Sequence, residues 1–263
     1  MTYKTLQVQE AEDVVTVTMD RPERRNALGP ELIDDLLRVM DEMGKRSAGV
    51  MVLTGAGTAF CAGLDLGYLQ SLNTKSQAEH REDSTHIARL FRTLYDLPLP
   101  TIAAVNGAAI GGGMGLATIC DFTLVVPEAK FGYTEARIGF IPAVVSSFLV
   151  LQVGEKQARD LLLTGRLVMA QEAKGMGLVN EVVDGAQLVS RAMELAQSLL
   201  QNSPESLRTT KKLLAAHTKD RLDQELQLAI DWSVVARSTK DFHEGIAAFL
   251  EKRAPVWPSR IQA

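Results

Sequence analysis

The sequence is poor in cysteine, in aromatic residues and in long apolar runs, and neither charge is in large excess. Its 263 residues include only two cysteines, Cys61 and Cys120, so no disulfide framework is indicated and a reducing compartment is expected. The net charge of −4 argues against nucleic acid as a partner. No apolar run reaches the ~20 residues of a membrane-spanning helix, and the first residues lack a signal-peptide core. We therefore expect a cytoplasmic globular protein that binds neither nucleic acid nor a membrane.

The composition that remains is that of an ordinary soluble enzyme. Apolar residues make up 46% of the chain and charged residues 23%, and the length suffices for a large hydrophobic core. Strand-like and helical patterns alternate in the first part of the chain, whereas the last part is helical throughout. We therefore expect an α/β core over residues 1–200 and a C-terminal helical segment over residues 201–263.

Local patterns predict the individual elements of secondary structure. Strands are predicted over residues 3–9, 14–19, 50–54, 101–105, 121–126, 130–133 and 178–183, with a hairpin turn at 10–13. Helices are predicted over residues 30–43, 117–120, 144–153, 155–163 and 170–174, before Pro98, and from 186 onward with breaks at 203–204, 218–220 and 238–240.

Two of the predicted strands leave through glycine into the start of a predicted helix. The strand over 101–105 is followed by Asn106-Gly107 and by the triple glycine Gly111-Gly112-Gly113. The strand over 50–54 is followed by residues 55–63, and a helix beginning near Leu64 would leave the N–H of that residue without a helical acceptor. Each corner can therefore present a free backbone N–H, with the positive end of a helix dipole behind it.

Corners of this kind converge at the carboxyl ends of neighbouring strands in open α/β sheets. One N–H from each corner, at Leu64 and at Gly112, would donate a hydrogen bond to the same carbonyl oxygen and stabilise an oxyanion or enolate. Glycine alone leaves open the alternative that both corners are ordinary tight turns. The stretch is not a Gly-x-Gly-x-x-Gly motif and no Lys-Ser/Thr follows it, so a nucleotide site is weakly indicated.

The acid Glu135 stands in an apolar-rich turn that Gly139 and Pro142 close. Partial desolvation there would raise the pKa of its carboxyl and suit it to proton transfer. The alternative is a surface glutamate paired with Arg137 or a nearby lysine, and the sequence leaves it open. The four histidines have no metal-ligand spacing, so we expect no metal site. Cys61 lacks an activating neighbour and is expected to be a small buried filler.

These motifs together resemble the crotonase (enoyl-CoA hydratase/isomerase) superfamily. The resemblance covers nearly the whole chain in the right order, and jointly the motifs are highly specific. They lie at residues 60–66, at Asn106-Gly107 with Gly111-Gly112-Gly113, at 135–142, at 165–166 with 170–179, and at 244–253.

The resemblance implies a spiral of ββα units with a C-terminal helical trimerisation segment, in a homotrimer or a dimer of trimers. It implies an acyl-CoA thioester substrate, with coenzyme A as part of that substrate, and no metal or redox cofactor. The implied catalytic groups are Glu135 and the backbone N–H groups of Leu64 and Gly112. The implied CoA-binding residues are Arg24, Arg25, Ala62, Asp65, Leu66, Phe249 and Lys252.

The sequence departs from the best-known hydratases of this family at one position. Those enzymes resemble Gly-Gly-Gly-x-Glu at the helix start and carry a second Glu in the later turn, whereas here the first Glu falls on Gly115. Glu135 alone would have to activate water, or else move a proton between carbons. The segment 134–146 looks most like methylglutaconyl-type hydratases, which favours an enoyl-CoA hydratase that adds water across the 2,3 double bond through a stabilised enolate. A Δ3,Δ2-enoyl-CoA isomerase and a non-catalytic acyl-CoA binding protein are the alternatives.

The sequence also indicates which side chains form the wall of the acyl pocket. Apolar residues of the predicted connector and of the turn after Glu135 are the candidates. They are Leu69, Leu72, Ile87, Phe140, Ile141 and Ala143.

Overall fold

The computed structural model describes residues 2–47 and 49–261. The domain limits at residues 1 and 263, together with residues 48 and 262, lie outside the described residues. The described residues form ten strands in two sheets. The strands are β1 Leu6–Ala11, β2 Val14–Met19, β3 Val50–Gly55, β4 Ala59–Cys61, β5 Thr101–Val105, β6 Ala108–Ile110, β7 Phe122–Val125, β8 Lys130–Gly132, β9 Val168–Met169 and β10 Glu181–Val182.

Ten α-helices accompany these strands in the described part of the chain. They are α1 Pro30–Met43, α2 Leu66–Ser71, α3 Gln77–Asp96, α4 Gly112–Ile119, α5 Ala143–Thr164, α6 Ala170–Gly175, α7 Leu188–Leu200, α8 Pro204–Arg237, α9 Lys240–Leu250 and α10 Pro258–Ile261.

The strands are distributed so that successive turns of the chain add one strand to each sheet. The large sheet has the order β1-β2-β3-β5-β7-β10, and the small sheet has the order β4-β6-β8-β9. The pairs β3/β4, β5/β6 and β7/β8 therefore each span both sheets before the chain enters a helix. Because the β3–β5–β7 and β4–β6–β8 pairings are parallel, equivalent strand ends stack along one edge of the molecule. This repetition is the spiral of ββα units that the resemblance implies.

The central strands of the large sheet are apolar because both of their faces are covered. All five residues of β5 are buried, and so are five of the six residues of β3. Helix α7 packs against both strands. Parallel strands covered on both faces lack polar alternation, which is why their sequences read as continuous apolar runs.

The first hairpin is displaced from its predicted position. Strand β1 spans Leu6–Ala11 rather than residues 3–9, and the turn is only Glu12-Asp13. Both turn residues have positive φ angles of 50° and 62°, as a two-residue hairpin turn of the favoured twist requires. The prediction failed because the exposed residues of β1 hardly alternate, so their pattern does not locate the strand.

The predicted break at residues 218–220 is wrong. Helix α8 continues from Pro204 to Arg237 without interruption. It packs against α3 and α5, and the hydroxyls of Tyr95 and Thr218 lie 3.0 Å apart. An ion pair between Lys219 and Asp223, one turn apart, also stabilises this part of the helix. Tertiary packing therefore outweighs the low helix propensity of threonine and aspartate.

The predicted division of α5 at Gly154 is confirmed: its φ of 73° is non-helical and separates two helical segments within Ala143–Thr164. Two other elements differ from the prediction. Only Glu181–Val182 of the predicted strand over 178–183 pairs with the large sheet. The glycine stretch contains the short strand β6 before α4, which the sequence did not indicate. Within the described residues, no helix is both long and apolar enough to cross a lipid bilayer.

Candidate active site

The first glycine corner, between β3 and α2, is held in place by Asn26. The amide Nδ2 of this buried residue donates to the carbonyls of Ala56 and Ala59 at 3.0 and 2.9 Å. Its Oδ1 accepts a hydrogen bond from the backbone N–H of Arg21 at 2.9 Å. One side chain thus satisfies three backbone groups and fixes the loop that carries the corner.

The backbone N–H of Leu64 points away from the chain that pairs with this corner. The N–H of Leu28 donates a hydrogen bond to the carbonyl of Gly63 at 2.7 Å. The carbonyl of Leu28 accepts a hydrogen bond from the N–H of Asp65 at 2.8 Å. Polar groups of consecutive extended residues point to opposite sides, so the N–H between these two bonds is directed away from Leu28. Helix α2 begins at Leu66 with Asp65 as its N-cap, two residues later than the predicted start. The N–H of Leu64 therefore still has no helical acceptor.

The second corner delivers the N–H of Gly112. Asn106 joins the corners by donating from Nδ2 to the carbonyls of Gly55 and Gly57 at 2.8 and 3.0 Å. Gly111 turns the chain with a φ of 54°, which a residue with a side chain rarely adopts. Gly112 is the first residue of α4, so its N–H has no helical acceptor and lies at the positive end of the helix dipole.

The two corners lie against each other. A Cβ atom at Gly63 would lie 2.7 Å from the carbonyl oxygen of Ile110 and 3.6 Å from the nitrogen of Gly112. Only glycine permits this approach, because an alanine methyl group at position 63 would overlap the neighbouring backbone. The N–H groups of Leu64 and Gly112 thus come from adjacent segments, an arrangement suited to stabilising one oxyanion.

Glu135 reaches the same corner from the turn that follows β8. It begins a short 3-10 helix, Glu135–Ile138, that Gly139 ends in the left-handed conformation. Helix α9 packs so closely on this turn that a Cβ atom at Gly139 would overlap the carbonyl of Asp241. A Cβ atom at Gly111 would lie 2.8 Å from Oε1 of Glu135. The carboxyl group is therefore in contact with the residue that precedes the Gly112 N–H.

The carboxyl group of Glu135 is poised to exchange a proton. Its Oε2 is buried and has no hydrogen-bond partner among the described residues. Burial raises the pKa of Glu135 from 4.5 to about 7, although a hydrogen bond from its own backbone N–H acts in the opposite direction. The alternative of a surface glutamate paired with Arg137 is therefore wrong for this structure. A carboxyl group with a pKa near neutrality can serve both as base and as acid.

Position 115, where the resemblance would place a first glutamate, is closed by apolar side chains. A Cβ atom at Gly115 would lie 2.5 Å from Cγ1 of Val145 and 3.0 Å from Cε1 of Phe91. Both residues line the pocket that contains Glu135. Apolar side chains therefore occupy the space that a carboxylate at this position would need, and they also contribute to the desolvation of the site.

A narrow pocket that opens to solvent joins these groups. The predicted wall residues Leu69 and Leu72 are outside it and pack instead in a second cluster with Phe140. The other four predicted wall residues do line the pocket. Its lining consists of Leu64, Ser84, Ile87, Phe91, Gly112, Glu135, Phe140, Ile141, Pro142, Ala143, Val144, Val145, Ser233 and Arg237.

The sequence reasoning missed the polar residues of this pocket, which are Ser84, Ser233 and Arg237. Ser233 and Arg237 are one turn apart on the buried face of α8, between apolar neighbours such as Ile230 and Val234. Polar residues within an otherwise apolar helix stripe are the signal that could have found them. The approach of α8 to Ser84 of α3 depends on tertiary packing, so no local sequence pattern indicates it.

Among the residues expected to bind CoA, Asp65 is already engaged. Its carboxylate accepts hydrogen bonds from Nη1 of Arg24 at 2.9 Å and from the N–H of Tyr68 at 3.1 Å. Burial raises the pKa of Asp65, but the bonds from Arg24 and Tyr68 outweigh it and hold the pKa below its usual value. Arg25 is exposed and has a φ of 51°. Its carbonyl accepts a hydrogen bond from the N–H of Ala62. The loop of Arg24 and Arg25 is thus fastened to the first corner.

The other expected CoA contacts lie at the edges of the site. Leu66 is half-buried at the start of α2 and packs against the second apolar cluster. Phe249, which is 56% exposed, lies near the end of α9, and Lys252 follows that helix on the surface. Neither Phe249 nor Lys252 lines the pocket of Glu135. Both therefore remain available to a ligand outside it.

Cys61 does not contribute reactive sulfur to the site. It is fully buried at the end of β4, and burial raises the pKa of its thiol to about 12. A thiolate would not form near neutral pH, so the interpretation as a small filler agrees with the structure.

Fold and site define a protein that can bind a carbonyl compound in a partly apolar pocket and stabilise negative charge on its oxygen. A family model described as enoyl-CoA hydratase/isomerase matches residues 9–260. A Thermus thermophilus protein, provisionally named an enoyl-CoA hydratase, is 46% identical over 244 residues, which are 92% of this chain and 96% of that protein. The crotonyl-CoA hydratase of Syntrophomonas wolfei is 32% identical over 259 residues, 96% of this chain and 97% of that protein.

A solved structure leads to the same family. The enoyl-CoA hydratase/isomerase of Xanthobacter autotrophicus Py2 superposes with a TM-score of 0.88 and 28% identity, over 98% of this chain and 99% of that chain. The chain therefore belongs to the enoyl-CoA hydratase/isomerase family of the crotonase superfamily, and it is an enzyme. The resemblance and the α/β fold class expected from the sequence are confirmed.

Proposed function

We propose that this protein is an enoyl-CoA hydratase in which Glu135 is the single acid–base residue. The observation that carries the proposal is the desolvated carboxyl group of Glu135, whose Oε2 has no hydrogen-bond partner among the described residues and which contacts Gly111, the residue before the Gly112 N–H. One acid with a pKa of about 7 can remove a proton from water and later return it to carbon.

In the proposed reaction, the N–H groups of Leu64 and Gly112 hold the thioester oxygen of a 2-enoyl-CoA. Glu135 removes a proton from a water molecule while the water oxygen forms a bond to C3. The electron pair of the 2,3 double bond moves through C2 to the thioester oxygen, which becomes an enolate oxygen. Glu135 then gives its proton to C2 as the carbonyl re-forms. The product has gained one water molecule, and Glu135 is returned to its ionised state.

The enolate is the species that the two corners stabilise. Negative charge develops on one oxygen in a pocket with a mostly apolar lining, where fixed N–H donors act more strongly than in water. Removal of one such donor typically costs about 100- to 1,000-fold in rate, so the pair accounts for a large part of the expected acceleration. No metal or redox cofactor has a role in this proposal, and coenzyme A is part of the substrate.

The CoA moiety is proposed to lie outside the pocket, along the loop of Arg24 and Arg25. Exposed guanidinium groups there can meet its phosphates, and the exposed Lys252 and Phe249 can cover it from α9. Ala62, Asp65 and Leu66 would then border the adenine and pantetheine. Arg25→Ala is expected to raise KM for an enoyl-CoA with little change in kcat, because the contact is the same in ground and transition states.

The test of the proposed activity is the turnover of crotonyl-CoA and longer 2-enoyl-CoAs by the purified protein. Loss of the conjugated double bond, with formation of the 3-hydroxyacyl-CoA, is the expected result. If none of these substrates is consumed, the proposal is wrong. Tight binding of acyl-CoA without any turnover would support a binding protein instead.

Isomerisation of a 3-enoyl-CoA is the second candidate, and the apolar closure of position 115 favours it. With Val145 and Phe91 next to position 115, Glu135 is the one carboxylate among the described residues that line the pocket, and moving a proton between C2 and C4 requires only one. Incubation of a 3-enoyl-CoA in deuterated water separates the two reactions. Conjugation without hydration identifies an isomerase.

We further propose a homotrimer, or a dimer of trimers, that works in the cytoplasm. Leu228, Trp232 and Val235 project from one face of α8 and are each more than half exposed, as expected for a surface that a second copy covers. The two cysteines are free and buried, which suits a reducing compartment. Light scattering tests the assembly, and a monomer at micromolar concentration contradicts it.

A further inference from the structure

One part of the pocket wall, where α3 meets α8, is polar, although Ile87 and Phe91 of α3 and most of the other lining residues are apolar. Ser84 of α3 and Ser233 and Arg237 of α8 line it, and all three are at least 96% buried. Polar groups are costly to bury unless they are hydrogen-bonded, so a pocket for a plain alkyl chain would have no use for them. The proposed reaction at Glu135 does not use them either.

Arg237 is the central group of this polar wall. Its Nη1 lies 2.6 Å from Oδ2 of Asp83, and the other oxygen of Asp83 accepts a hydrogen bond from the hydroxyl of Tyr68. Its Cζ lies 5.7 Å from the centre of the Phe140 ring. Its Nε and Nη1 are both buried and have no hydrogen-bond partner among the described residues, although Nη1 lies at ion-pair distance from Asp83. A residue that lines the pocket thus has donors left without a hydrogen-bond partner.

The two serines supply a second donor. Oγ of Ser84 donates to Oγ of Ser233 at 3.1 Å, across the interface of α3 and α8. Because Ser233 is the acceptor in this bond, its own hydroxyl proton is not used by it. Ser233 and Arg237 are four residues apart on α8 and therefore lie on the same face. One oxygen atom of a ligand can be offered a donor from each of them.

The charge of this wall is already balanced. Asp83 neutralises Arg237 at ion-pair distance, so the buried cluster carries no net charge. A ligand carboxylate would place a second anion beside the same guanidinium and next to Asp83, and burying that excess charge is unfavourable. A neutral oxygen with free lone pairs needs only the two donors.

On the basis of the proposed function, we propose that the acyl chain of the substrate ends in a neutral hydrogen-bond acceptor. A terminal hydroxyl group, bound by Arg237 and Ser233, is the chemistry that the wall fits. Arg237 and Ser233 are then specificity-determining residues that separate a hydroxylated enoyl chain from its alkyl analogue. A site built for a hydroxyl group rejects the analogue that lacks it, because its own donors are left unpaired.

The test compares three 2-enoyl-CoA substrates of the same chain length that end in a methyl, a hydroxymethyl or a carboxylate group. We expect kcat/KM to be at least about tenfold higher for the hydroxyl substrate than for the methyl substrate. Equal values, or a preference for methyl, overturn the polar wall as a recognition site. A preference for the carboxylate over the hydroxyl overturns the charge argument.

Variants of the polar residues test whether they cause the preference for the hydroxyl substrate. Ser233→Ala is expected to reduce the hydroxyl-to-methyl ratio of kcat/KM about fivefold. The double variant Arg237→Met with Asp83→Asn removes both charges together, so that no unpaired buried charge prevents folding, and it is expected to abolish the preference. Ser147→Ala, at a buried serine of α5 outside the pocket, is the matched control and should keep the ratio of the wild type. An unchanged ratio in the first two variants contradicts the proposal.

The same substrates keep this inference separate from the proposed reaction. If no substrate is hydrated, the proposed activity fails. The dissociation constants of saturated acyl-CoAs with the same three ends, measured by calorimetry, then still decide whether the wall selects a hydroxyl group.

Discussion

The carboxyl group of Glu135 lies so close to Gly111 that a Cβ atom on that glycine would be 2.8 Å from Oε1. Gly111 precedes the first residue of α4 with a φ of 54°, and Gly112 lines the same pocket as Glu135. One glycine therefore positions both the proton-transfer group and an oxyanion donor. The following predictions test this arrangement.

Glu135→Gln should abolish most of the activity while the fold is retained. The amide has nearly the same shape but cannot take up a proton, and loss of an acid–base group typically costs about 100- to 10,000-fold in kcat. Hydration of crotonyl-CoA measures the loss, and circular dichroism checks the fold. Glu128→Gln, at an exposed glutamate, is the control and should retain full activity. Residual activity close to that of the wild type would show that Glu135 is not the acid–base residue.

The rate of hydration should rise with pH through the pKa of Glu135. Burial disfavours the carboxylate and raises the pKa to about 7, so the base form that hydration needs is lost below that value. We expect kcat/KM to fall about tenfold per pH unit below the pKa and to level off above it. A profile that is flat between about pH 5.5 and pH 8.5, in protein that stays folded, contradicts this assignment.

The same raised pKa predicts a pH dependence of stability. The folded protein keeps the Glu135 proton to a higher pH than the unfolded chain, so the stability that this group contributes is lost as pH rises from about 4.5 to about 7. Glu135→Gln does not titrate and should gain stability relative to the wild type over this range, by up to about 3 kcal/mol. Urea unfolding of both proteins at pH values below and above the range measures the difference.

Gly112→Pro should remove one oxyanion donor and leave the helix in place. Proline has no N–H but is favoured at the first position of a helix, which Gly112 occupies in α4. We expect kcat to fall about 100- to 1,000-fold. Gly112→Ala keeps the N–H and is the control. A Cβ atom there would lie 3.0 Å from Cδ1 of Leu28, a contact that a small shift of a side chain relieves. Equal losses in both variants would point to packing rather than to the N–H.

Gly115→Glu should not restore a two-acid hydratase. The new Cβ would overlap Cγ1 of Val145 at 2.5 Å, so the variant should lose stability, by about 1–3 kcal/mol, and activity. Gly115→Glu with Val145→Ala makes room and should recover much of the melting temperature, which differential scanning calorimetry measures. A fully stable single variant would show that the helix can move away from α5.

Local pattern was sufficient for the elements whose environment is uniform. The strands β2, β3 and β5 and the helix α1 were predicted to within about two residues. Each of these elements has the same environment along its whole length: the strands are covered by the core on both faces, and the helix packs one apolar stripe against the core. The glycine corners and Glu135 were also visible, because tight turns and a lone acid in an apolar turn require particular residues. Helix α8 shows the limit, since its continuity through residues 218–220 depends on α3 and α5.

The sequence by itself therefore indicated most of the elements in their order, the two glycine corners and the candidate acid Glu135. Only the tertiary structure decided that the carboxyl group of Glu135 is desolvated rather than paired with Arg137. It also decided that Val145 and Phe91 close position 115, and that Ser84 meets Ser233 across 149 residues of chain. The physical reason is that burial and pKa depend on neighbours in space. Those neighbours come from distant segments, and local patterns carry no information about which segments meet.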